Sequence, residues 1–101
     1  MRMTLATTLV MQAIAAGHGH GFDIVDITGF ATGTVYPALR RLERDGFVRS
    51  RWESERVATR EGRPARRYYE LTASGVTALD AALHTLRQLD AASRLRPRTA
   101  E

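Results

Sequence analysis

With 101 residues, a net charge of +4 and no cysteine, the chain can form one domain with a modest core, and disulfides and thiolate metal sites are excluded. No apolar run approaches the ~18 residues of a membrane span. The N-terminal segment also lacks the basic region and cleavage site of a signal peptide, so we expect a cytoplasmic protein. Residues 40–67 hold ten arginines and five acidic residues, a local net charge of +5 that favours a polyanionic partner.

The first part of the chain has the spacing of short helices. One is predicted over Thr4–Ala16, with Leu5 and Leu9 on its apolar side, and the glycine-rich run GHGHG ends it. A second, over Phe22–Ile27, ends near Gly29. A third follows within a few residues, which is the spacing of a helix-turn-helix.

The third helix, in ATGTVYPALRRLERDG, contains a proline. Its apolar residues recur at i, i+3, i+4 and i+7: Val35, Ala38, Leu39 and Leu42. With Thr32 as the expected N-cap, Pro37 lies just beyond the first turn, where a missing amide costs little, so a short helix with a strained start is predicted. Gly46 supplies a left-handed stop.

The pattern after Gly46 predicts a β-hairpin. Phe47–Glu53 alternates in polarity, and Arg66–Leu71 is rich in aromatic and charged residues. The segment SERVATREGRPA between them is interpreted as a polar loop whose tip is mobile without a partner. The fold class predicted from these elements is mainly α with a small β-hairpin.

Thr72 is predicted to cap a long helix that runs to about Leu95. Apolar residues with 3-4-3 spacing form the seam of a coiled coil. A helix of about 24 residues, ~36 Å, is longer than a small domain can cover, so dimerisation is favoured over an internal core. Together with the first helix, the candidate dimerisation residues are Leu5, Leu9, Val76, Leu79, Leu83 and Leu86. Residues 96–101 are expected to be a disordered tail.

The order of these elements resembles a winged helix. GTVYPALRRLERDGFVRSRWE and GRPARRYYELTASG resemble the signature of the PadR family of bacterial transcriptional regulators, from about Leu5 to Leu89. HGFDI is similar to that family's HGYDI-type element, with Phe22 in place of the usual tyrosine. The resemblance implies a winged helix-turn-helix DNA-binding domain over residues 1–71. It also implies a C-terminal dimerisation helix over residues 72–95, as in the compact branch of the family.

The same resemblance implies a dimeric repressor whose partners are double-stranded DNA, with a palindromic operator, and a second copy of the chain. A small-molecule inducer is left open. Some compact members bind flat aromatic drugs through tryptophans on the dimerisation helix, whereas the single tryptophan here, Trp52, lies on the hairpin. The alternative function is a winged-helix interaction module whose basic face binds an acidic protein.

The outer face of the third helix is the candidate for reading the major groove. Its residues are Thr32, Gly33, Thr34, Tyr36, Pro37, Arg40 and Arg44. The first three are also placed to offer amides or hydroxyls to a phosphate. The alternative is a solvated face on which the arginines pair with Glu43 and Asp45.

The hairpin contains Gly-Arg-Pro at residues 62–64, similar to the core of minor-groove AT-hooks. The candidate wing residues are Arg60, Gly62, Arg63, Pro64, Arg66 and Arg67. The alternative is a disordered polar loop.

Neither metal binding nor catalysis is expected. His18 and His20 are potential ligands, but a metal site needs three or four converging donors, and a glycine-rich turn is the favoured interpretation. No nucleophile, base and acid occur together in the sequence. We therefore expect no enzyme, no cofactor and no metal.

Overall fold

The computed structural model describes residues 3–93. The elements in this range are α1 (Leu5–Ala15), α2 (Gly21–Thr28), α3 (Thr32–Arg44), β1 (Val48–Trp52), α4 (Glu55–Arg60), β2 (Arg67–Leu71) and α5 (Ala73–Ser93). The predicted fold class is confirmed. The predicted end of the last helix near Leu95 and the predicted tail lie outside the described residues. None of the helices between residues 3 and 93 is both long and apolar enough to cross a membrane.

The core lies where the first three helices meet. α1 contacts α2, α3 and α5, and α2 contacts α3. The largest fully buried apolar side chains of these helices are Val10, Met11, Ile24, Val35, Leu39 and Leu42. Each such burial contributes about 1.5–3 kcal/mol. All four apolar residues predicted to face inward from α3 are buried, so the predicted helix face is confirmed.

The ends of the helices follow the predicted signals with one correction. Gly29 adopts φ +74° after α2, and Gly46 adopts φ +80° after α3, the left-handed conformation that glycine favours. α3 begins at Thr32, so its N-cap is Ala31 and the prediction that Thr32 caps it was wrong. Ala31 has no side-chain acceptor, and the first turn of α3 is therefore left without a side-chain cap.

The hairpin is antiparallel, with Val48 opposite Leu71 and Trp52 opposite Arg67. The segment before α2 adds to its edge, because the Tyr69 amide donates to the Gly19 carbonyl at 2.7 Å. The segment predicted to be a polar loop between the strands contains a helix, α4. Ser54 caps it by accepting from the Val57 amide at 3.2 Å. A helix of six residues is too short to show an apolar stripe in sequence.

α5 begins in close contact with the chain that leaves α3. Thr72 Oγ1 accepts from the Gly75 amide at 3.1 Å, which confirms Thr72 as the cap. The hydroxyls of Thr72 and Ser74 both donate to the Gly46 carbonyl, at 2.6 and 2.9 Å. A Cβ on Gly75 would overlap the backbone carbonyl of Phe47. The joint between α3, β1 and α5 therefore requires a glycine.

We expect Gly75→Ala to destabilise the fold by about 1–3 kcal/mol, because the new methyl group must displace the Phe47 backbone. Gly33→Ala in α3 is the matched control, since its Cβ would meet nothing within 4 Å. It should keep stability or raise it by up to about 1 kcal/mol. Urea unfolding followed by circular dichroism measures both. Equal stability of the two variants would contradict the close packing at the joint.

Candidate nucleic-acid interface

The outer face of α3 is open to solvent. Thr32, Gly33 and Thr34 are exposed in its first turn, and Arg40 and Arg44 are exposed further along. This turn has no side-chain cap and lies at the positive end of the helix dipole. A helix end of this kind is suited to an anion such as a phosphate.

Tyr36 and Pro37, the other two candidates on this helix, are half-buried. The Tyr36 ring lies so close to Gly21, at the start of α2, that a Cβ there would overlap it. The Phe22 ring packs edge-to-face on Tyr36 with centroids 6.2 Å apart. Tyr36 therefore sets the spacing between α2 and α3 as well as presenting its outer edge.

A groove of about 560 Å³ separates α3 from the hairpin. It is lined by aromatic rings and by arginines, and we call it the interface groove. Its residues are His20, Gly21, Phe22, Tyr36, Arg40, Trp52, Arg63, Pro64, Ala65, Arg66, Arg67 and Tyr69. The fold thus brings Tyr36 and Arg40 of α3 together with four of the predicted wing residues. The other candidates on α3 and the wing, among them Arg44 and Arg60, lie outside it.

Two of the wing arginines are engaged by carboxylates. Arg67 Nη2 lies 3.1 Å from Glu43 Oε1, and Arg63 Nη1 lies 2.5 Å from Glu53 Oε1. On α3, Arg44 pairs with Asp45 at 3.4 Å. Within residues 3–93, Arg40, Arg60 and Arg66 form no ion pair.

The alternative of a self-paired α3 surface therefore holds only for Arg44. Glu43, which that alternative assigned to the arginines of its own helix, accepts from Arg67 of β2. The guanidinium group of Arg40 remains free at the interface groove.

Glu43 also connects α3 to the hairpin. It accepts from Ser50 Oγ at 2.5 Å, and Ser50 in turn accepts from Arg67 Nε at 2.9 Å. The Arg67 guanidinium lies over the rings of Trp52 and Tyr69, with centroid distances of 5.6 and 5.8 Å. These contacts join one helix and both strands, so they hold the hairpin at a set angle to α3.

Glu53 is a functional candidate that the sequence did not reveal. Its carboxylate accepts from both terminal nitrogens of Arg63, at 2.5 and 3.1 Å, and from the Tyr68 hydroxyl at 3.3 Å. The hydrogen bond from Arg63 is the main cause that lowers the pKa of Glu53 from 4.5 to about 2. The carboxylate is thus ionised at neutral pH. Its contribution to stability is present above pH 4.5 and is lost as the pH falls toward 2.

The two histidines before α2 have separate partners. His18 Nδ1 lies 3.0 Å from Asp23 Oδ2, and the His20 ring packs edge-to-face on Tyr68. Burial, and then the nearby charge of Arg66, lower the pKa of His20 from its ordinary value. Residues 3–93 contain no cluster of three side chains placed to bind a metal.

The predicted dimerisation residues fall into two groups. Leu79 is buried and Leu83 packs on the core, whereas Leu5 and Val76 are 60% and 48% exposed. Leu9 and Leu86 are half-buried. Leu89, which was not among the candidates, is 61% exposed. In the seam of α5, Leu79 and Leu83 therefore belong to the internal core, whereas Val76 before them and Leu89 after them are exposed.

Comparisons with known proteins identify relatives that share this fold. The family model described as "Transcriptional regulator PadR-like family" matches residues 10–81. A PadR family transcription regulator from Clostridium difficile has a similar structure, with a TM-score of 0.80 and 21% identity over 91% of this chain and 97% of that one. A PadR family regulator from Eggerthella lenta gives 0.67 and 26%, over 87% and 80%. No curated protein sequence matches the chain significantly.

The matched residues run from α1 into α5 and include α3, the hairpin and the interface groove. PadR family regulators are transcription factors and not enzymes. The chain therefore belongs to the PadR family of DNA-binding transcriptional regulators.

Proposed function

We propose that the protein is a homodimeric repressor of a palindromic operator, with α3 in the major groove and the hairpin, its wing, on the flanking DNA. The observation that carries this proposal is the position of Arg40 and Arg66. Both line the interface groove without a carboxylate partner within residues 3–93, in a segment with a net charge of +5. Two free guanidinium groups on facing elements suit a phosphate strand between them.

The length of α5 supports the homodimer. It spans 21 residues, ~31 Å, and its contacts with α1 and β2 involve its first half, where Gly75 and Leu79 are buried. Leu86 and Leu89 extend the same side of the helix beyond those contacts. Pairing with a second copy would cover them and would relate two α3 helices by a two-fold axis. That symmetry is the one a palindrome requires.

The wing supports contact with the minor groove. Its turn after α4 contains Gly62 at φ +67°, which lets the backbone approach a partner closely. Arg60 and Arg66 are the wing arginines that form no ion pair with residues 3–93, while Arg63 reaches DNA only by leaving Glu53. A narrow A/T-rich minor groove has the negative potential that attracts such arginines.

The proposed DNA binding is tested by selecting a preferred duplex from random DNA and measuring the affinity of the wild-type protein for it at several salt concentrations. Counterion release predicts a loss of orders of magnitude between about 50 and 200 mM salt. Fluorescence anisotropy with labelled duplex measures it. The absence of any preferred sequence, or a shallow salt slope together with binding to acidic proteins, would favour the interaction-module alternative instead.

Arg40→Ala and Arg44→Ala should each weaken operator binding by about 1–3 kcal/mol, because each removes a charged contact to a base edge or phosphate. Arg49→Ala is the matched control. The side chains of Arg44 and Arg49 are both 69% exposed and each pairs with one acid, but Arg49 points to the hairpin face away from the groove. Equal losses in all three variants would indicate general electrostatics, and unchanged affinity of the α3 variants would exclude the helix.

Leu89→Asp should raise the dimer dissociation constant at least about tenfold, because it places a charge on a surface that the dimer would bury. We prefer it to Leu83→Asp, since Leu83 packs on the core of its own protomer. Gln88→Asp adds the same charge at an exposed position that lies opposite Leu79 on α5, and it is the control. Sedimentation equilibrium measures both, and a dimeric Leu89→Asp would locate the interface elsewhere.

Arg66→Ala should weaken binding more on an operator with A/T-rich flanks than on one with G/C-rich flanks, if the wing lies in the minor groove. Arg63→Ala on the same two duplexes tests the arginine of the Gly-Arg-Pro segment. A pure phosphate contact would lower affinity equally on both and reduce the salt slope by about one. Equal losses would therefore rule out minor-groove readout, and no loss would remove the wing from the DNA.

A further inference from the structure

The wing contains a nearly buried carboxylate inside a strongly basic surface. The Glu53 side chain is 8% exposed, and its partner Arg63 is 25% exposed. The backbone amide of Glu53 donates to the Arg66 carbonyl at 2.7 Å, which extends the pairing of the strands beyond Trp52. A negative charge at this position opposes the approach of a polyanion such as DNA. We therefore asked which contacts within the wing the Glu53 carboxylate stabilises.

The contacts of Glu53 show what it holds. Its donors all come from the returning half of the hairpin: Arg63 twice, the Arg66 amide at 3.3 Å and the Tyr68 hydroxyl. No side chain from residues 49–68 belongs to the core cluster. Ala58 of α4 is buried outside that cluster, and Glu53 supplies side-chain contacts that tie the start of the connection to its end.

The same contacts determine which arginine faces outward. Glu53 neutralises Arg63 and holds its guanidinium group, while the adjacent backbone at Arg66 is anchored by its amide. The Arg66 side chain is left without an ion pair within the described residues, and it lines the interface groove, as Arg40 does. Glu53 thus binds the side chain of Arg63 and, through the backbone amide, orients Arg66.

We propose that Glu53 is a positioning residue for DNA: by closing the wing onto Arg63, it presents Arg66 to the operator in a defined place. Selectivity for the operator then depends on a negative charge within the positive surface. This inference rests on the proposed DNA binding, so its experiment must separate the two.

The experiment compares Glu53→Gln with Glu55→Gln. Both remove one negative charge from the connection between the strands, but Glu55 is exposed on α4 and has no side-chain partner within residues 3–93. If charge alone matters, both variants bind DNA more tightly. Positioning predicts that Glu53→Gln binds the operator about five- to tenfold more weakly, because charged hydrogen bonds of the wing are lost. Glu55→Gln should bind equally or slightly more tightly.

Binding to unrelated DNA separates positioning from general damage. Arg63, once freed, adds a phosphate contact, so Glu53→Gln should keep or gain non-specific affinity with a salt slope steeper by about one. Its ratio of specific to non-specific affinity should fall. A misfolded variant would instead lose both affinities together and lower the thermal unfolding midpoint, which circular dichroism detects.

A double-mutant cycle with Arg63→Ala identifies the pair as the cause. If Glu53 acts through Arg63, the double variant should bind the operator no more weakly than the weaker single variant. Tighter operator binding by Glu53→Gln, or additive losses in the cycle, would overturn the inference while Glu55→Gln still binds. Failure of both the wild type and Glu55→Gln to prefer an operator would overturn the proposed function with it.

Discussion

Burial of the apolar stripe of α3 is the constraint on which the rest of the molecule depends. Val35, Ala38, Leu39 and Leu42 are fully removed from solvent, and exposing them would cost several kcal/mol. Because side chains rotate by about 100° per residue on a helix, burying this stripe turns the remaining residues outward. Arg40 and Arg44 are therefore displayed as a consequence of core packing, and the interface inherits the rigidity of the core.

The outer part of the hairpin is held by a different kind of force than its base, where Val48 lies in the core cluster. Its tip contributes nothing to the core cluster, and its position depends on two carboxylates, Glu43 and Glu53, that each engage an arginine of the returning segment. Charged hydrogen bonds are directional and depend on geometry, unlike hydrophobic burial. They connect the hairpin to α3 and tie the strand connection together, and they also withdraw Arg63 and Arg67 from the positive charge available to a partner.

α5 connects this local architecture to assembly. Its start is locked to the end of α3 through Gly75, Thr72 and Phe47, so the direction of the long helix is determined by the same joint that ends α3. In the proposed homodimer, the distance between the two α3 helices would depend on this joint. A small movement there would be amplified along the ~31 Å of α5.

Much of the fold could be predicted from the sequence because its signals are local. The stripe of α3, the glycines after α2 and α3 and the cap at Thr72 each depend on residues within one or two turns of each other. The arginine-rich segment indicates a polyanionic partner through its composition, which needs no knowledge of how the chain folds. α4 was missed since six residues carry too little periodicity, and the cap of α3 was misplaced by one residue.

Only the tertiary structure decided which of the ten arginines in residues 40–67 are free. Glu43 and Arg67 are 24 residues apart, and Glu53 and Arg63 are separated by a helix and a turn. Pairing at such separations depends on where the strands return, and composition alone makes every arginine equivalent. The close approach of Gly75 to Phe47 was hidden for the same reason. The residue types of the interface were thus set by the sequence, whereas their pairing and presentation were set by long-range contacts that exist only in the folded chain.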